Sequence, residues 1–242
     1  MVTKVNRIPL IGALLFGVLS LPVSASTQQR SPLLEQIAKT YGVDSWDQVE
    51  VIRFTFNIDP PKLSRSWVWE PRADRITYNG PDKDGKPITI TYSRSQLASQ
   101  SAFVKEMVDP AFINDQYALM LPLHFAWDTV TVDDAGTQKG HLVKGSARKV
   151  VVKYPSDVGG YTPGDTWELF VGNDGRIREL VLRHGGGLKP SLVYATWAGH
   201  KQAGPLLFST DKRGTADGQP IHIFFTNVAV KQVGSSTWLE AK

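Results

Sequence analysis

The stretch SWVWEPRADRITYNGPDKDGKPITITY, Ser66 to Tyr92, contains three short runs that read as strands: SWVWE (66–70), RITYN (75–79) and PITITY (87–92). β-branched and aromatic residues dominate them, and they are bounded by Pro, Asp and Gly. The connection GPDKDGK supplies the glycine and aspartate that a hairpin turn requires. Links this short join neighbouring antiparallel strands and leave no room for a crossover helix.

The same pattern extends in both directions. Upstream, in VEVIRFTFNID, Ile52, Phe54, Phe56 and Ile58 alternate with Arg53, Thr55 and Asn57, the period of a half-buried strand. Before it, SPLLEQIAKTYG reads as a helix. Ser31 is placed to cap it, Pro32 fits its first turn, Leu34, Ile37, Ala38 and Tyr41 share one face, and Gly42 ends it. Downstream lie TVTVD (129–133), ARKVVVKY (147–154), TWELFVG (166–172), RIRELVLRH (176–184), SLVYATW (191–197), GPLLFST (204–210) and IHIFFTNVAVK (221–231), with GNDGR (172–176) a strong hairpin signal. The expected fold is therefore α+β and mainly β. It is a single antiparallel sheet of about ten strands with an N-terminal helix and a helical segment inserted between Ser93 and Pro122.

The first 25 residues combine Lys4 and Arg7, an apolar run from Ile8 to Leu21, and the small-residue site Val23-Ser24-Ala25. This is the pattern of a secretory signal peptide cut after Ala25, with an apolar run too short for a good membrane span. No Cys follows, so no acylated cysteine can anchor the chain, and a soluble periplasmic location is expected. Residues 26–242 are expected to form one domain. Removing Lys4 and Arg7 lowers the formal charge from +4 by two, and no Lys/Arg block forms a stripe, which disfavours nucleic acid as a partner. The absence of Cys excludes disulfides, thiol catalysis and cysteine metal sites. The roughly 217 residues left can bury a core of their own.

The densest apolar run is DPAFINDQYALMLPLHFAWD, Asp109 to Asp128. Asp109-Pro110 is a sound helix start. On a helical wheel Ile113, Tyr117, Met120 and Leu121 cluster with Phe112 and Leu119 at the flank, while Asn114, Asp115 and Ala118 sit opposite and are expected to face solvent. The apolar arc of about 200° exceeds the stripe an ordinary surface helix needs, so the helix is deeply embedded or shares its face with a ligand. Gln116 lies inside that arc and requires a hydrogen-bond partner. After Pro122, LHFAWD has two readings. As a strand, His124 and Asp128 stand about 13 Å apart. As a helix they are i,i+4 neighbours about 6 Å apart, and only then could they form a general-base pair.

Other signals of chemistry are weak. The five histidines His124, His141, His184, His200 and His222 have no close metal-ligand spacing. With Asp82 as its first position, PDKDGK has its glycine two places early and Ser93 where a calcium loop needs glutamate. Gly185–Gly187 lacks the Lys-Ser/Thr of a phosphate loop, no G-x-S-x-G elbow occurs, and YTPGD (161–165), including Asp165, reads as a turn. No metal, cofactor or enzymatic activity is expected.

The order of helix, long meander, inserted helices and further meander resembles the periplasmic carriers of outer-membrane lipoproteins. SWVWEPRADRITYNG (66–80) is similar to their strand–Pro–strand unit. FINDQYALMLPLHFAWD (112–128), GGYTPGDTWELFVGNDGRIRELVLRHGG (159–186) and IFFTNVAVK (223–231) resemble an uncharacterised family of exported bacterial proteins grouped with these carrier-like folds. Glu70-Pro71 departs from the carriers, which have a basic residue before the proline, so their binding residues do not transfer by position. The resemblance implies a strongly bent half-barrel whose concave apolar face is covered by helices and accepts a lipid or an acyl-modified protein. Aromatic and apolar residues on strand faces and on the wide-faced helix are the candidate cavity lining: Phe54, Phe56, Trp67, Trp69, Phe112, Tyr117, Met120, Trp127, Trp167 and Trp197. The alternatives are an envelope protein–protein interaction module without a small ligand, and a hydrolase using His124 and Asp128.

Overall fold

A computed structural model describes residues 31–156, 163–185 and 191–242. The expected signal peptide and the loop residues Tyr161, Gly186 and Gly187 lie outside them. The first element of the described residues is helix α1 (Pro32–Thr40), which buries Leu34, Ile37 and Ala38. Ser31 precedes it in extended conformation, but its side chain makes no capping bond. Gly42, at φ +94°, turns the chain out of the helix, and a Cβ there would meet the Pro205 carbonyl oxygen at 2.2 Å. This position demands glycine for both its conformation and its space.

Among the described residues, thirteen strands form one open antiparallel sheet. They are β1 (Val49–Asp59), β2 (Leu63–Glu70), β3 (Arg75–Pro81), β4 (Pro87–Tyr92), β5 (Thr131–Lys139), β6 (Ser146–Lys153), β7 (Thr166–Val171), β8 (Ile177–Arg183), β9 (Leu192–Thr196), β10 (Ala198–Ala203), β11 (Leu206–Ala216), β12 (Gln219–Gln232) and β13 (Leu239–Glu240). The spatial order is β4-β3-β2-β1-β12-β11-β9-β8-β7-β6-β5, with β10 paired to β11 and β13 to β12. Two meanders are thus joined at the centre by the β1–β12 pair, and β4 and β5 are the edges. The expected count was about ten. The additional strands include β10, AGHKQA, and β13, only two residues long, and neither carries a hydrophobic alternation to announce it. The hairpin at GNDGR forms as expected: the Gly172 N–H donates to the Arg176 carbonyl and Gly175 takes φ +75°. In PDKDGK the Asp82 carboxylate accepts the backbone N–H groups of Asp84 and Lys86, so it serves the turn itself.

Between β4 and β5 runs the inserted segment. A π-helical turn (Val104–Val108) leads directly into α2 (Asp109–His124). Pro122 does not stop α2. The backbone kinks at Met120 (φ −121°, ψ 15°), and the helix resumes to His124. A proline inside a helix removes a donor and crowds the preceding turn, and such a kink is the usual accommodation. The strand reading of LHFAWD is thereby excluded.

The position of α2 requires the sheet to bend. Asp109, at its start, accepts a hydrogen bond from the Tyr92 hydroxyl at the end of β4. Asp128, just past its end, accepts one from the Tyr154 hydroxyl immediately after β6. Nine interstrand steps separate β4 from β6, about 43 Å across a flat sheet. The twenty residues from Asp109 to Asp128 span about 28 Å as helix. One helix can touch both strands only if the sheet curls around it. Its concave face carries the core, including Ile52, Phe54, Phe56, Trp67, Leu169, Leu180, Phe208 and Phe225. Because the sheet encloses α2, nearly all of the helix from Asp115 to His124 is buried.

Candidate functional site

Helix α2 is held by buried carboxylates, one of which the sequence reading placed outside. Asp115 was expected to face solvent, yet it is completely buried. Strand β2 rises along that flank and brings two donors to it. Arg65 Nε and Nη2 bind its two carboxylate oxygens at 2.9 and 2.6 Å, and Trp67 Nε1 donates at 2.8 Å. The Asn114 side-chain amide adds a fourth bond at 2.9 Å. Burial pushes the Asp115 carboxyl above its ordinary pKa, an increase that Arg65, Asn114 and Trp67 limit. At the helix start Arg94 Nε and the Tyr92 hydroxyl both donate to Asp109, each at 3.0 Å. Wrenching α2 off the sheet would strand these buried carboxylates, so it is a fixed wall and not a loose flap.

The helical continuation past Pro122 brings His124 and Asp128 together, with Nδ1 3.5 Å from Oδ2. His124 Nε2 lies 2.7 Å from Gln116 Oε1, which answers the need of Gln116 for a partner. The imidazole stacks on Tyr117 at 3.6 Å between ring centroids. Burial lowers the His124 pKa, partly offset by Asp128. Asp128 Oδ2 also accepts the hydroxyls of Tyr117 (2.6 Å) and Tyr154 (2.9 Å). Burial raises its pKa, but the bonds from His124, Tyr117 and Tyr154 outweigh this and hold it below the usual carboxylate range. Both phenols are raised, mainly by burial.

This network borders a cleft of about 880 Å³. Its walls are mixed: Trp69, Phe112, Ile113 and Trp127 provide apolar surface, while Asp74, Arg94, Asp109, Gln116, His124 and Asp128 provide polar groups. None of the described lining residues is Ser, Thr or Cys. Among the described residues, no group of three or more His, Asp or Glu is placed to share a metal ion.

On the other side of Tyr117 and Ala118 is a second pocket of about 220 Å³, between α2 and the concave face. It is lined by Ile58 of β1, Trp167 of β7, Leu180 and Leu182 of β8, Val193 and Ala195 of β9, and Ile221 and Ile223 of β12. Register explains the convergence. Trp167 pairs with Leu182, Leu182 with Val193, and Ile223 with Ile58, so one inward row runs across several strands. Polar groups interrupt this wall: Asn114 of α2, which was expected to face solvent, His184, and Lys212 of β11, which pairs with Ile223 and is almost wholly buried.

The candidate residues divide by location. Tyr117, Trp167 and Trp197 line the apolar pocket. Trp69, Phe112, Tyr117 and Trp127 line the mixed cleft. Phe54, Phe56, Trp67 and Met120 are packed in the core, where Phe54 and Phe56 meet Phe225 edge-on and Trp67 meets Tyr78 and Phe112. Lys212 was missed, although period-2 alternation from Leu206 and Phe208 puts it on the inward face. Tyr154 was missed because its partner Asp128 lies across the fold, beyond any sequence spacing. Among the remaining histidines, His200 bonds the Tyr41 hydroxyl at 2.9 Å and His222 bonds Asp211 at 3.0 Å. Asp165, read as a turn residue, is buried and accepts the Gly185 N–H at 2.8 Å.

No family model and no curated protein matches the chain. Two solved structures are similar to it over most of their length. A DUF1329 family protein from Desulfovibrio piger ATCC 29098 shares 10% identity, with 84% of this chain and 93% of that chain covered and a TM-score of 0.43. The Mycobacterium tuberculosis lipoprotein LppX shares 11% identity, with 81% of this chain and 94% of that chain covered and a TM-score of 0.27.

Proposed function

We propose that this protein is a periplasmic binding or carrier protein for a hydrophobic ligand, a lipid or an acyl-modified protein, held between α2 and the concave face of the sheet. The observation that carries the reading is the apolar pocket itself. Aliphatic and aromatic side chains from β1, β7, β8, β9 and β12 converge on space that α2 covers but does not fill. An acyl chain entering it would gain about 0.8 kcal/mol per buried CH₂ group. The adjoining mixed cleft, which shares Tyr117 with the pocket, offers room for a bulkier polar portion of the ligand. Because α2 is fixed through Asp109 and Asp115, entry proceeds past its flank and not by its removal. The pocket also favours this reading over a protein–protein module with a filled core.

Native mass spectrometry of protein isolated from its own periplasm tests the proposal and is expected to show a bound lipid. Protein that is wholly apo and takes up no fluorescent fatty acid would refute it.

A second reading, hydrolysis by His124 and Asp128, is supported by their 3.5 Å approach at the cleft. Any nucleophile would have to be an activated water, since the lining supplies no aliphatic hydroxyl or thiol. Loss of a detected hydrolytic activity in a folded His124→Ala protein would favour it.

A further inference from the structure

The Lys212 amine is an unusual constituent for the wall of an apolar pocket. Its residue is 3% exposed. The ammonium group carries three N–H donors. One bonds the Ser209 carbonyl at 2.7 Å and a second reaches Ser209 Oγ at 3.3 Å, leaving one for another acceptor. Nζ lies 4.1 Å from the Trp197 ring centroid and 4.9 Å from that of Phe225, two faces that favour a cation. Among the described residues no carboxylate lies within ion-pair distance of it. The adjacent Asp211 points to the opposite face of β11, where it meets His222 and Arg213. A buried cation without a counterion is costly, and here burial drives the lysine pKa well below its usual range.

We infer that Lys212 anchors the head of an amphiphilic monocarboxylate whose acyl chain fills the apolar pocket between α2, β8 and β12. This rests on the hydrophobic-ligand reading above and names the head group it would select. The chemistry is specific in two respects. One remaining N–H matches one oxygen of a singly charged head, where a phosphate dianion would leave charge and lone pairs unmatched in an apolar wall. The pocket volume of about 220 Å³ holds roughly seven groups the size of a water molecule, so the buried segment is medium-length, roughly six to eight carbons. A bound carboxylate also supplies the missing counterion and returns the amine to its charged form.

Calorimetric titration of the full chain with octanoate and with 1-octanol separates head from tail. The wild-type protein is expected to bind octanoate at least tenfold more tightly than octanol. In Lys212→Met that preference is expected to vanish while octanol binding is retained or improved. A wild-type protein that takes both without preference, or a Lys212→Met protein that keeps the preference, overturns the inference and leaves the hydrophobic-ligand reading intact. If wild-type protein takes up neither compound nor a fluorescent fatty acid, both readings fall. A second readout needs no variant. A water-soluble carbodiimide added to wild-type protein with octanoate should couple the bound carboxylate to Lys212 as an amide, located by peptide mass spectrometry. Modification confined to surface lysines would count against the inference.

Discussion

Asp115→Ala is the sharpest test of how α2 is held in the curl of the sheet. The change removes a fully buried carboxylate that accepts four hydrogen bonds, three of them from β2. It leaves Arg65, whose side chain is only 17% exposed, without its counterion. Removing one partner of a buried pair costs about 3–5 kcal/mol. The residual exposure of Arg65 and its contact with the Phe56 ring at 4.9 Å argue for the lower end, about 3 kcal/mol. With a urea m-value of about 2–3 kcal/mol/M for a chain of this size, the midpoint should fall by about 1–1.5 M. Urea titration monitored by tryptophan fluorescence measures it. The double variant Arg65→Met/Asp115→Leu should recover a large part of the loss, because an apolar pair leaves no stranded charge. A loss below about 1 kcal/mol for Asp115→Ala, or a double variant as unstable as the single, would show that the pair does not hold the helix.

The other expectations concern the buried bases. Lys212→Met should raise stability at neutral pH by more than about 1 kcal/mol, since it removes a buried amine that the unfolded chain solvates freely. A lower thermal midpoint than wild type would contradict the placement of Lys212. His200 has its pKa lowered to about 4 by burial, reinforced by Arg176, Arg178 and Lys212. Below its unfolded value of about 6.5, the unfolded ring takes up a proton that the folded ring refuses. Stability is therefore full above pH 6.5 and declines as pH falls toward 4. His124, also lowered, acts with the same sign. Urea midpoints measured across that window should decline less steeply for His200→Gln than for wild type, and equal slopes would contradict the assignment.

The sheet was legible because its determinants are local. Alternation in VEVIRFTFNID and the turn residues of GPDKDGK and GNDGR depend on neighbours a few positions away. The helical wheel of α2 failed at Asp115 for the opposite reason. A wheel says which residues oppose one another, not whether anything stands on the far side. Here β2, some fifty residues earlier, brings Arg65 and Trp67 to that face. The alternation of LHFAWD was compatible with a strand, and only enclosure by the curved sheet made continuation through Pro122 the better solution. The apolar pocket arises from cross-strand register among β1, β7, β8, β9, β11 and β12, which no local pattern encodes.

Taken alone, the sequence determined the strand-by-strand antiparallel architecture and the wide apolar arc of the helix after Asp109, because periodicity and turn chemistry act within a few residues. The tertiary structure decided that His124 and Asp128 meet, that Asp115 is an internal clamp, and that Lys212 stands in an apolar wall without a carboxylate partner among the described residues. Each of those outcomes depends on which distant strand the curling sheet brings opposite a side chain, and on whether that strand supplies a charge to match it.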